Sequence, residues 1–318
     1  MASTTDTPAP NAPGGSLIDP QALMAIKNLE MRAKIVVQGF WNGIHRSPYH
    51  GFSVEFTEYR QYVSGDDTRY LDWKLYARSD RAYIKKFEDE TNLRCHLIVD
   101  NSRSMEYGSI GYTKAEYANT LAATLAQFLF QQGDGVGALT FDDQIREYLP
   151  ARNRTGHLRH LMLALESPAG GSATNLRLPL QRIAQIVRKR GMIVIISDLL
   201  APLEDLERDL VALTACGHEV MIFQIHDPAE TSLDLEHSSI YLDVETNQEL
   251  YIDPDFARKS YLKKFNAHNE AIAAICNKLG VGLHLYQSDR PLELALFDFM
   301  RDRTERGKKA KGGSGTRK

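Results

Sequence analysis

The residues whose types and spacing most suggest chemistry begin in the stretch LIVDNSRSM, residues 97–105. Asp100, Ser102 and Ser104 put oxygen-bearing side chains at alternate positions directly after an apolar run. Two more oxygens stand in comparable settings further on: Asp198 closes the apolar run GMIVIISD, and Thr174 lies in the Gly-rich loop PAGGSATN. Five hard oxygen ligands without sulfur or imidazole suit Mg2+ or Mn2+ rather than zinc or copper. Two carboxylates offset a dication's charge, while hydroxyls and water fill the remaining positions. Other uses of the same residues stay open. Ser104 can cap the turn that follows it, and Asp198 the helix near Pro202. A serine nucleophile would need a frame that is missing, since neither serine stands in GxSxG. The chain has no GxxxxGK[ST] and no GxGxxG, and GDGVG at 133–137 follows a helix instead of a strand. A phosphotransfer aspartate at Asp100 would want an acidic residue where Ser102 stands, and no general base is placed by sequence beside these groups. The expectation is therefore a binding site without catalysis; a hydrolase activating water on the same cation is the alternative.

These side chains must be positioned by the elements around them. LRCHLIVD, GMIVIISD and HEVMIFQIHD are apolar without full alternation, the pattern of strands covered on both faces. Between them a long helix spans about Lys114–Gln131 and stops at Gly133. GVGALTFD and IREYLP read as a strand pair turning at Asp142–Asp143, and two helical stretches, HLRHLMLALES and LRLPLQRIAQIVRK, flank the Thr174 loop. PLEDLERDLVALTAC is a helix, SIYLDVETNQELYID a hairpin, and a helix from about Pro254 to Leu279, the strand VGLHLYQ and the helix PLELALFDFMRD follow. Such alternation predicts an α/β fold with a doubly wound, mostly parallel six-stranded sheet flanked by helices. In a 3-2-1-4-5-6 strand order, Asp100 and Asp198 end neighbouring strands at the switch point, where such sheets bind ligands.

Four segments are expected along the chain: a disordered leader 1–18, an N-terminal helix with a small β-rich extension over 19–92, the α/β domain over 93–302, and a disordered basic tail 303–318. Asp19 and Pro20 start a helix read through to Phe40. With 318 residues, 43% hydrophobic, 25% charged and a formal charge of −3, the composition gives no pull toward nucleic acid or an anionic membrane. The longest apolar runs are strand-length, far short of the roughly 20 residues of a membrane helix. The first residues lack the basic and apolar regions of a secretory signal. Cys95, Cys216 and Cys276 have no CxxC spacing and read as reduced core residues of a cytoplasmic protein. His157 and His160 have no partner with zinc spacing and read as exposed helix residues. The segment from Asp227 to Asp255 carries nine Asp and Glu and no Lys or Arg, as a solvated face would.

Together, the five oxygen-bearing residues resemble the metal-ion-dependent adhesion site of the von Willebrand factor A fold, DxSxS with a distant Thr and a distant Asp. That resemblance implies metal contact through the hydroxyls of Ser102, Ser104 and Thr174, with Asp100 and Asp198 acting directly or through water. Upstream, SVEFTEYRQYVSGDDTRYLDWKLYARSD, from Ser53 to Asp80, looks like the signature of the bacterial domain of unknown function 58 family (DUF58). The likeness extends over about residues 20–302. It implies a von Willebrand factor A-like domain and association with a MoxR-type AAA+ ATPase in a chaperone-like assembly, with a partner presenting an acidic side chain to the metal. One departure is Asn101 and Arg103 inside the motif, where many relatives carry small residues.

Overall fold

The computed structural model describes residues 17–46, 58–61, 83–86, 93–167, 176–187, 189–233, 239–242, 249–252 and 254–312. Most of the signature stretch and the loop with Thr174 fall outside these residues. By contacts the chain divides into two compact units, Met1–Gly15 with Gly43–Asn92, and Ser16–Asn42 with Leu93–Lys318. In the first, β1 (Glu58–Gln61) and β2 (Tyr83–Lys86) pair antiparallel.

The second unit begins with α1 (Pro20–Met24), where the Asp19 carboxylate accepts the Gln21 amide at 3.0 Å. The expected single helix breaks here. Asn28 accepts the Met31 amide through its side chain at 2.7 Å and starts α2 (Leu29–Arg46) afresh. An Asx side chain that satisfies a backbone donor competes locally with helix continuation, which explains the break.

A six-stranded sheet follows. Its strands are β3 (Arg94–Asp100), β4 (Gly135–Phe141), β5 (Ile145–Arg152), β6 (Met192–Ser197), β7 (Glu219–His226) and, after a separate antiparallel hairpin of β8 (Ser239–Leu242) and β9 (Glu249–Ile252), β10 (Gly282–Gln287). The spatial order is β10-β7-β6-β3-β4-β5. All neighbours are parallel except β4 and β5, which form an antiparallel pair. Read in chain order this is the 3-2-1-4-5-6 arrangement expected, with β3 beside β6.

Helices cover both faces. On one, α3 (Lys114–Gln131) lies against β3 and β4; every residue from Lys114 to Leu129 except Glu116 is buried. It packs beside α4 (His157–Leu165), while Phe40 of α2 meets Phe128 edge-on at 5.4 Å and Phe299 of α9 (Glu293–Gly312) lies 6.5 Å from the same ring. On the opposite face, α5 (Arg177–Ile186), α6 (Leu203–Ala215) and α8 (Pro254–Leu279) bury Leu180, Ile183, Leu206, Leu210, Ile272 and Cys276 against Ile98, Ile193, Ile195 and Ile222. The last helix runs past the expected end at 302, and Arg303 holds Asp134 at 3.0 Å and Gln132 at 2.9 Å. Cys95 and Cys276 are buried as expected, whereas Cys216, at the C-cap of α6, is exposed because that turn faces outward. His157 is only half-buried and bonds the Val136 carbonyl at 2.7 Å; His160 is exposed.

Candidate functional site

The order of strand addition reverses between the parallel neighbours β3 and β6, so the loops leaving them run to opposite faces and diverge into a crevice at their carboxyl ends. Val99 pairs with Ile196, which brings Asp100 next to Ser197 at the mouth of that crevice. Asp100 is fully buried. One carboxylate oxygen accepts the Ser102 amide at 2.9 Å, and the other accepts the Ser197 hydroxyl at 2.6 Å. Ser102 and Ser104 bring their hydroxyls within 3.1 Å of each other on the one-turn 3-10 segment Arg103–Glu106. Ser102 is buried and Ser104 half-buried, so the pair leads from the interior toward the surface.

Asp198 follows β6 and is likewise fully buried. Its setting is strained: Leu199 adopts φ 57°, a left-handed conformation unusual for a branched side chain, and is itself wholly buried. The Ser197 hydroxyl accepts the Leu199 amide at 3.0 Å, and His268 of α8 bonds the Leu199 carbonyl at 3.0 Å, which together hold this turn. The first oxygen of Asp198 accepts the Leu200 amide at 3.2 Å. The second lies 2.9 Å from the Nζ of Lys114, the first residue of α3. Lys114 is fully buried, and its ammonium also donates to Glu230 Oε1 at 2.6 Å. Glu230 belongs to α7 (Pro228–Ser232), whose cap Asp227 accepts the Ser109 amide at 2.9 Å and ties the segment before α3 to the end of β7.

The capping uses left open in the sequence are not the ones adopted. The N-cap of α6 is Pro202, with no side-chain bond, and the short turn at Arg103 begins without a side-chain cap. Asp198 instead meets a cation.

The electrostatics follow from burial. Asp100 is pushed up to about 7, first by loss of water and then by the charge of Asp198. Its hydrogen-bond partners are serine groups, all neutral. Burial alone would lower Lys114, but the carboxylates of Asp198 and Glu230 outweigh it and hold the ammonium above its ordinary value. Burial raises Glu230, against the opposing pull of Lys114. His226, at the end of β7, is driven down to about 4 by burial and then by Lys114, and its Nε2 has no hydrogen-bond partner.

Four of the five residues singled out in the sequence thus sit at one strand-end crevice: Asp100, Ser102 and Ser104 on the β3 side, Asp198 on the β6 side. Thr174 lies outside the described residues. Among the described residues, no group of three or more His, Cys, Asp or Glu side chains is placed to hold a metal ion, so a cation here would rely on hydroxyl and water oxygens beside the two carboxylates. The donor set is two carboxylates with hydroxyls, the composition that suits Mg2+ or Mn2+. A cation of this kind fits one specific feature, the buried Asp100 carboxylate with neutral partners alone. The chain's own cation, Lys114, and its second partner Glu230 escaped sequence reasoning. One signal was present: in the Ala- and Leu-rich run KAEYANTLAATLAQFLF, Lys114 and Glu116 are the only charged residues, and both stand at its head.

A family model described as "Protein of unknown function DUF58" matches residues 58–271. The uncharacterized protein Rv1480 of Mycobacterium tuberculosis is 29% identical over 282 residues, covering 87% of this chain and 88% of that protein. The uncharacterized protein MAV169 of Mycobacterium avium is 31% identical over 118 residues, 36% of this chain and 68% of its own. Among solved structures, an aerotolerance-related membrane protein from Bacteroides fragilis is similar with a TM-score of 0.40 and 17% identity, over 59% of this chain and 98% of that one. BatB from Bacteroides thetaiotaomicron is similar at 0.36 and 15%, over the same 59% and 98%. Scores this low carry no argument about function.

Proposed function

The chain belongs to the family of proteins of unknown function DUF58, a membership that supplies no activity, and we propose that it is a non-enzymatic interaction protein that binds a partner through a divalent-cation site. Asp100, Ser102, Ser104 and Asp198 hold the cation, Mg2+ or Mn2+, with Thr174, which lies outside the described residues, as the fifth ligand. The observation that carries this reading is Asp100: a carboxylate buried beside a second one, with only serine groups to answer its charge. A buried, uncompensated carboxylate is costly, and a cation is the usual remedy. The bound ion supplies an open coordination position for an acidic side chain of the partner. Half-buried Ser104 marks the side from which that side chain enters.

The partner we favour is a MoxR-type AAA+ ATPase in a chaperone-like assembly in the cytoplasm. Three free cysteines are in keeping with a reducing compartment. No helix of the described residues is long and apolar enough to cross a membrane. A hydrolase on the same cation would need a base open to a bound water; Asp198 and Glu230 are both committed to the Lys114 ammonium, and the unpartnered Nε2 of His226 is buried, which favours binding over catalysis. The test is titration of the full chain with Mg2+ and Mn2+, followed by capture of a purified MoxR-type AAA+ ATPase, with and without chelator. Wild type should bind the cation and capture the ATPase only when it is present, and Asp100→Ala should lose both. Capture that persists undiminished in excess chelator overturns the reading.

A further inference from the structure

Lys114 is a peculiar neighbour for a cation site. Its ammonium is fully buried, within 2.9 Å of Asp198 and 2.6 Å of Glu230. Both oxygens of Asp198 therefore already hold donors, Lys114 on one and the Leu200 amide on the other. A divalent ion drawing on Asp198 must share it with a positive charge that is covalently part of the chain and anchored at the head of a buried helix.

Resting on the cation-site reading above, we propose that Lys114 is a tethered competing cation that keeps the site's affinity for the free ion low, so that firm occupancy requires the partner's carboxylate. Charge arithmetic supports it. With all three carboxyls ionised, as a bound dication requires, Asp100, Asp198 and Glu230 carry three negative charges and Lys114 one positive, so the dication brings the cluster to neutrality rather than to an excess of negative charge. A neutral cluster accepts a further carboxylate from outside with less repulsion than a negative one. The ammonium thus weakens the ion's own hold while favouring the acidic partner, which couples the two binding events. Glu230 is the counterweight: its pull on Lys114 leaves Asp198 partly available.

The two substitutions move affinity in opposite directions. Lys114→Met removes the competitor and should tighten Mn2+ binding at least about tenfold. Glu230→Gln leaves the ammonium to Asp198 alone and should weaken Mn2+ binding about threefold or more. A merely structural role for the pair predicts weaker binding in both. The experiment is Mn2+ titration followed by electron paramagnetic resonance on the full chain, for wild type, both variants and Asp100→Ala, with circular dichroism confirming the fold. Tighter binding by Lys114→Met, abolished when Asp100→Ala is added, supports the proposal even where wild type binds too weakly to measure. Should Lys114→Met not fold, Lys114→Gln takes its place, since it removes the charge but keeps a polar side chain: tighter Mn2+ binding supports the proposal, and unchanged or weaker binding overturns it. Wild-type binding with Lys114→Met unchanged or weaker overturns it while leaving the cation site standing. No Mn2+ binding by wild type or either variant, or Asp100→Ala binding as wild type does, overturns the cation site itself.

Discussion

Asp100 is expected to be a liability to the free protein, and replacing it by asparagine should stabilise the chain in chelator. Its carboxyl is raised from 3.8 to about 7 by burial and by Asp198. A group whose folded value is raised contributes stability that is complete below 3.8 and is lost as pH climbs through about 7. At about 1.4 kcal/mol per pH unit, the ionised carboxylate costs the folded state about 4 kcal/mol in mildly alkaline solution. The replacement amide would keep an acceptor for the Ser102 amide but present an amino group to the Ser197 hydroxyl, which now donates to Asp100. Giving up that bond costs about 1 kcal/mol. Asp100→Asn should therefore be about 2–3 kcal/mol more stable than wild type near pH 8 in chelator, an advantage that narrows and reverses toward about pH 4. Urea denaturation at both pH values measures this, and repeating it in millimolar Mg2+ should raise the wild-type midpoint alone. An Asp100→Asn protein less stable than wild type at both pH values in chelator would refute the reasoning, because the charge would then have a compensating partner.

Three other outcomes are expected. His96, buried on β3, is lowered to about 4 by burial and then by His218 and Arg94, so its share of stability is present above 6.5 and lost as pH falls toward 4; His96→Gln should flatten the acid side of the wild-type urea-midpoint profile by up to about 3 kcal/mol. Gly137→Ala should lower stability by about 2–3 kcal/mol in thermal melts, because the new Cβ would stand 2.5 Å from the Leu149 carbonyl oxygen and 2.6 Å from the Ala151 nitrogen, at the register shift between β4 and β5. Asp227→Ala removes the acceptor of the Ser109 amide and hydroxyl and of the Ala229 amide; it should cost about 2–3 kcal/mol and speed tryptic cleavage after Arg103.

The strands were legible because their signal is local. Continuous apolar runs such as MIVIIS and EVMIFQIH identify strands covered on both faces, and the alternation with helices fixed even their order. Asp100 and Asp198 were legible for the same reason: each stands where such a run stops. Lys114 and Glu230 were not, because their meaning arises from a meeting of residues 116 positions apart that no periodicity encodes. The break between α1 and α2 hid for another reason, since apolar spacing continues across Asn28 while the chain turns on one side-chain hydrogen bond. Leu199 is harder still. Nothing about a leucine after an aspartate announces a left-handed backbone; only the surrounding bonds from Ser197 and His268 impose it.

The encasement of α3 has a consequence for how the crevice fluctuates. Amides along a helix buried on nearly every side exchange with solvent only when the whole domain opens. Lys114 is mounted at the head of that helix, whereas Glu230 sits in the five-residue helix Pro228–Ser232, which buries none of its residues. Short, solvent-facing elements open at far lower free energy. Breathing of the site is accordingly one-sided: Glu230 departs first and often, while Lys114 and Asp198 stay together on the slow-exchanging frame.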